Sequence, residues 1–141
     1  MELEQHDRFC DPVQEGFDVC LQTGQNTSGI LEASKIFPVR RLIAATPEYI
    51  EQYGMPLVPQ DLPQHKFCHN TFIEPDCCIN LSHPKGIKPI PIQPIIQTNT
   101  IWMLRAAIMS NQYMAVMPAF FIEQELIDGK LVAVLPEVQL K

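Results

Sequence analysis

From residue 96 to residue 135 the chain alternates short apolar runs with stretches of helical spacing, and this alternation limits the available folds more than any other feature. After Ile95-Ile96, the run Thr98-Asn99-Thr100 supplies helix caps. Ile101, Leu104 and Ile108 then recur at helical spacing with Ala107 beside them, and Asn111 suits a left-handed stop. Residues 113–117 read as a buried strand. Pro118 starts a helix that ends at Gly129, and residues 131–135 form a last strand. Parallel strands need crossover helices, so these units argue for a mixed α/β class.

The remainder is shorter in its elements and richer in breakers. Residues 1–5 suit a short strand or the tail of one. Asp11-Pro12-Val13-Gln14-Glu15-Gly16 reads as a single helical turn, residues 17–21 as a compact buried strand, and residues 23–29 as a loop. Residues 36–45 form the next strand region, with Arg40 and Arg41 in its middle. Thr46-Pro47-Glu48 opens a helix with a cap, a proline at the first position and an acid in the first turn, and Gly54 closes it. Residues 55–63 contain three prolines and are irregular. A strand is expected within residues 65–72, another around residues 77–81, and a turn at residues 83–86. Isoleucine then recurs at 87, 90, 92, 95 and 96 with Pro89, Pro91 and Pro94 between, which suits an edge strand or a linker because each proline removes a ladder donor.

A length of 141 residues corresponds to about one domain. The formal net charge is -6, the ten Lys and Arg are spread thinly, and Arg40-Arg41 is the only adjacent basic pair, so this chain alone is expected to bind DNA poorly. Five cysteines with no CxxC spacing do not form a disulfide framework, and reduced thiols in a cytosol are the simpler reading. The first residues lack the basic start and apolar run of a signal peptide, and the charge-free stretches are broken by Pro, Gln and Asn, so no membrane span is expected. Cys68-His69, Cys77-Cys78 and His83 match no zinc spacing, and buried small hydrophobes are the plainer reading of the cysteines. No Gly-x-Ser-x-Gly elbow, phosphate loop or metalloprotease helix is present, so neither catalysis nor a cofactor is expected.

Three segments carry a family resemblance. Asp11-Pro12-Val13-Gln14-Glu15-Gly16-Phe17-Asp18-Val19-Cys20-Leu21-Gln22-Thr23-Gly24 resembles the D-x-V-x-E-G-F-D-V-x-I-R-x-G run of LysR-type bacterial transcriptional regulators. Ala45-Thr46-Pro47-Glu48-Tyr49-Ile50 through Gly54-Met55-Pro56, with Pro59-Gln60-Asp61-Leu62 and His65, is similar to the passage where that family crosses from its first subdomain to its second. Leu104-Arg105-Ala106-Ala107, Val116-Met117-Pro118 and Leu126-Ile127-Asp128-Gly129-Lys130-Leu131 through Pro136 resemble its next helix–strand–helix–strand passage. Gln22 stands where the family has Arg, and Asn111-Gln112-Tyr113 replaces its Gly-x-Gly.

The resemblance implies an α/β, type 2 periplasmic-binding-protein-like fold, with a complete second subdomain (residues 43–129) and part of the first (residues 1–42 and 130–141). It implies a cytoplasmic regulator whose helix-turn-helix head is absent from this chain, which works as a homodimer or higher oligomer. Its small-molecule effector, a carboxylate or aromatic acid, binds between the lobes. In open α/β sheets ligands sit beyond strand carboxyl ends and at helix N-termini, so Thr23, Gly24, Gln25, Thr98, Asn99, Pro118 and Phe120 are the expected effector-binding residues. Plainer roles stand beside these: Thr98 and Asn99 as helix caps, Thr23 and Gln25 as loop residues, and Phe120 as core. Two other functions fit the same residues, an oligomerisation or interaction module and a periplasmic solute-binding domain.

Overall fold

The structure, a computed structural model, describes residues 1–8, 10–23 and 32–141. Its elements run β1 (Arg41–Ala45), α1 (Pro47–Tyr53), a 3-10 turn (Pro59–Gln64), β2 (Cys68–Asn70), β3 (Cys78–His83), β4 (Gly86–Pro91), β5 (Ile96–Thr98), α2 (Ile101–Met109), β6 (Ala115–Pro118), a second 3-10 turn (Ala119–Phe121), α3 (Glu123–Ile127) and β7 (Val132–Val134). Local chemistry sets several of these limits. Thr46 Oγ1 accepts from the Tyr49 amide at 3.2 Å, Pro47 occupies the first turn of α1, and Gly54 ends the helix at φ 86°. Asn111 ends the turn after α2 in the left-handed region, φ 65°, as its short polar side chain permits.

β1 is the centre of a sheet ordered β6-β1-β7, antiparallel on both sides. β2 and β5 pair in parallel, and the Phe67–Met114 bridge joins β2 to the start of β6, also in parallel. The lateral order is therefore β5-β2-β6-β1-β7. The strands on either side of each crossover helix are not neighbours: β2 lies between β5 and β6, and β1 lies between β6 and β7. β3 and β4 form a hairpin whose other side takes the Leu81–Leu140 bridge. Within the proline-rich stretch, residues 86–91 form strand β4, which among the described residues pairs with β3 alone, and residues 96–98 form β5.

Alternation along β1 divides the core. Ile43 and Ala45 face a cluster with Tyr49, Leu62, Phe67 and Met114, whereas Ala44 faces a cluster with Leu104, Ile108, Ala115 and Met117. Ala44 and Ala115 are cross-strand partners, and their small side chains let α2 lie close over the sheet.

Five elements differ from the sequence expectation; the first is the stretch expected to be irregular, where Pro59–Gln64 form a 3-10 turn with Pro59 in its first turn. Residues 17–21 are not a buried strand: Val19 and Leu21 are each 79% exposed. Apolar content alone does not make a strand, and no described strand lies beside this run to take its backbone hydrogen bonds. Residues 1–5 are likewise exposed and irregular. The strand expected over residues 36–45 narrows to Arg41–Ala45, the part with partners on both sides. The helix expected over residues 118–129 breaks at Ile122, where φ is -124° as the side chain turns into the core.

A hydrogen-bonded cluster closes the α1 side. The Tyr49 hydroxyl accepts from the Lys66 amide at 3.0 Å and lies 3.1 Å from His65 Nδ1. Burial pushes the His65 imidazole below its usual value, so the neutral ring, with Nδ1 accepting from Tyr49, is favoured in the fold. Between that lowered value and the ordinary value near 6.5, the unfolded chain holds the extra proton, so stability falls as pH drops through this window and is fully recovered above it. In paired denaturation curves from about pH 7 to about pH 5, His65→Gln is expected to start lower but to lose less stability than the parent chain. Parallel curves would show that His65 does not titrate differently in the folded and unfolded states.

Candidate functional site

The parallel strands β2, β5 and β6 end side by side at Asn70, Thr98 and Pro118, and the antiparallel β1 begins at the same edge with Arg41, in register with Pro118. The first turn of α2 opens beside them at Ile101. Thr98 Oγ1 accepts from the Thr100 amide at 3.2 Å, and among the described residues no side chain caps α2 itself. The helix thus presents backbone amides and its positive dipole end toward this edge.

A tight turn follows β2. Asn70 Oδ1 accepts from the amides of Phe72 and Ile73 at 2.9 and 3.3 Å, and the Glu74 amide donates to the Asn70 carbonyl at 3.1 Å. His69 is buried, and its Nε2 donates to the Glu74 carbonyl at 2.6 Å. The Thr71 amide donates to the Thr98 carbonyl at 3.0 Å, tying the turn to β5. The turn thereby sets the Glu74 carboxylate against Arg41, Nη2 to Oε1 at 3.2 Å, with the two side chains 16% and 9% exposed. Arg41 Nη2 also donates to the Lys141 carbonyl.

These groups border a cleft of about 20 Å³, with Arg41, His69, Asn70 and Glu74 on its polar side. Ile101, Leu104, Val116 and Pro118 form its apolar side. One guanidinium, a helix N-terminus and an apolar wall suit an anion with a hydrocarbon body.

The expected residues fall into three groups. Pro118 lines the cleft, whereas Thr98 is not among its lining residues and its carbonyl accepts from the Thr71 amide in the turn after β2. Asn99 and Phe120 lie outside the lining: Asn99 Nδ2 donates to the Asp7 carbonyl at 3.4 Å, and Phe120 is 58% exposed, edge-on to Phe37. Thr23 sits in an exposed bend, while Gly24 and Gln25 lie outside the described residues. Arg41, His69, Asn70 and Glu74 also line the cleft and lie outside the expected set. The signals for them were an arginine inside an otherwise apolar strand and polar residues following a strand end.

Among the described residues no three His, Cys, Asp or Glu side chains gather as a metal site would require. Burial pushes the Cys68 thiol up to about 11, so it packs as a small apolar group. Cys68 alone of the five cysteines is buried; Cys10, Cys77 and Cys78 are half-buried and Cys20 is exposed. No helix among the described residues is long and apolar enough to cross a membrane.

Comparison with known proteins gives one consistent picture. The family model for the LysR substrate binding domain matches residues 1–141. Among curated proteins, the chain is 26% identical over 135 residues to the probable HTH-type transcriptional regulator LtrA of Klebsiella pneumoniae, covering 96% of this chain and 44% of that protein. It is 28% identical over 131 residues to the HTH-type transcriptional activator AaeR of Escherichia coli K12, covering 92% of this chain and 42% of that protein. The chain therefore spans less than half the length of these relatives. Among solved structures, full-length AphB, a Vibrio cholerae virulence activator, superposes with a TM-score of 0.76 at 25% identity over 100% of this chain and 46% of that one. The effector domain of AmpR from Pseudomonas aeruginosa superposes with a TM-score of 0.74 at 20% identity over 96% of this chain and 64% of that one, a likeness of fold. The architecture is the α/β, type 2 periplasmic-binding-protein-like one.

Proposed function

The chain belongs to the LysR substrate-binding-domain family, and on that basis we propose that it is the effector-sensing domain of a transcriptional regulator, with its small-molecule site at the cleft between Arg41 and the start of α2. The observation that carries this reading is the convergence of three strand carboxyl ends, a helix N-terminus and a half-buried arginine on one edge of the sheet. Residues 43–129 form the second subdomain and residues 1–42 and 130–141 part of the first. The effector lies between them, and Thr23, Gly24, Gln25, Thr98, Asn99 and Phe120 approach it when the lobes close.

The ligand is a small carboxylate or aromatic acid. Its binding shifts the balance between lobe arrangements by its difference in affinity for them, and the regulator's subunits pass that shift to a helix-turn-helix head on DNA. The domain acts in the cytoplasm, as part of a homodimer or higher oligomer, and performs no catalysis.

The test is a thermal-shift panel of aliphatic and aromatic carboxylates, run on this chain and on the regulator carrying both lobes. A ligand at a hundredfold its dissociation constant is expected to add about 2.7 kcal/mol of stability. A panel that leaves the two-lobe protein's melting temperature unmoved would rule out a carboxylate-binding cleft.

A further inference from the structure

We propose that the Glu74 carboxylate is a built-in occupant of an anion site centred on Arg41, and that an incoming carboxylate binds by exchanging with it. The inference rests on the cleft assignment above and names the group that sets its affinity and selectivity.

Three observations carry it. First, Arg41 meets Glu74 at a single point, Nη2 to Oε1 at 3.2 Å, and its other Nη2 partner is the Lys141 main-chain carbonyl. Among the described residues Nε and Nη1 have no hydrogen-bond partner, and neither is sealed from solvent. Each two-donor face of a guanidinium, Nε with Nη2 or Nη1 with Nη2, includes Nη2, so a carboxylate that takes two donors must claim the Nη2 that Glu74 holds, and it outcompetes a single-point partner.

Second, Glu74 itself lines the narrow cleft beside Arg41, so a carboxylate that takes Nη2 does so in the space that the Glu74 side chain holds. Glu74 is the group of the same charge and shape already on the arginine. Third, the backbone beneath Glu74 is held without its carboxylate, by Asn70, by the Nε2 of His69 and through Thr71 by β5. The side chain can swing to water by rotation while the turn and the sheet stay intact, and the exchange breaks one ion pair and forms another.

The exchange conserves net charge in the cleft only for a monoanion. The apolar wall of Ile101, Leu104 and Val116 then favours a short aliphatic or aromatic body over a second charged group. The site's ligand class is thus a monocarboxylate with a hydrocarbon tail.

The experiment is a titration of the isotope-labelled chain with benzoate and propionate, followed by backbone amide and arginine Nε–H resonances at ionic strength held constant with chloride. Glu74→Gln is expected to bind either probe at least about tenfold more tightly than the parent chain, because the internal competitor is gone. Arg41→Gln is expected to abolish binding in both backgrounds. If Glu74→Gln does not fold, Glu74→Asp, which draws the carboxylate back by one methylene, is expected to give a smaller gain of the same sign.

Equal affinity in the parent and the Glu74 variants, with shifts at the α2 first turn, would overturn the exchange and leave the cleft assignment standing. Binding that survives Arg41→Gln would do the same. Shifts confined to residues remote from β1, β2 and α2, or no response in any variant, would overturn both.

Discussion

Replacing Tyr49 with alanine is expected to cost about 3–5 kcal/mol, the range for emptying a buried aromatic position. Tyr49 is fully buried although it sits on a helix of only seven residues, and its ring centroid lies 4.7 Å from that of Tyr53. Removing it opens a void beneath α1 and also takes away the hydroxyl that now serves two polar groups, the Lys66 amide and His65 Nδ1. The two contributions are separable. Tyr49→Phe keeps the ring and loses only the hydroxyl, so it is expected to cost about 1 kcal/mol, the usual net worth of one hydrogen bond, because the Lys66 amide and the His65 ring are only part-buried and can turn to water. Urea denaturation of the three proteins gives both numbers. A loss below about 1 kcal/mol for Tyr49→Ala would mean that α1 is not part of the cooperative core.

Leu104→Ala is expected to cost about 2–5 kcal/mol. Leu104 belongs to the cluster on the other face of the sheet, under α2, and is 2% exposed. The same side chain forms part of the cleft wall, so its removal enlarges the space beside Arg41 while weakening the helix that supplies the anion-facing amides. Tyr49 and Leu104 share no core cluster, so their losses are expected to add to within about 0.5 kcal/mol in the double variant. A marked departure from additivity in the same urea series would mean that the two faces communicate through β1, whose alternate residues enter both clusters.

The elements readable from residue order alone were those whose limits are chemically local. Thr46, Pro47 and Gly54 bracket α1 with a side-chain cap, a fixed first φ and a positive-φ stop, and none of these depends on the rest of the chain. Asn111 and Gly129 act in the same way. The run at residues 17–21 misled because a strand is defined by its neighbours: its apolar side chains are the right kind, but no described strand pairs with them. Ile122 misled for the opposite reason, since a core contact overrode a local helical pattern.

The site followed the same division. Thr98 and Pro118, read from sequence as helix-start residues, stand at strand ends on this edge of the sheet. Arg41, His69 and Glu74 could not be placed there from sequence, because their meeting depends on β1 pairing in register with β6 and on β2 lying parallel to β5. These pairings join distant parts of the chain, and no short window of sequence contains them.

The central position of β1 also bears on how the chain acquires its shape. Both of its partner strands lie far downstream, β6 beginning at Ala115 and β7 at Val132, so its hydrogen bonds are among the most non-local in the molecule. Closing such long loops before any contact rewards them makes folding slow. During synthesis β1 therefore leaves the ribosome with both edges bare and Leu42, Ile43 and two alanines unshielded, and α1, only seven residues long, is too short to hold its helix until it packs. The interval before Val134 emerges is when this chain is most exposed to aggregation, and it is then that chaperone capture would matter most.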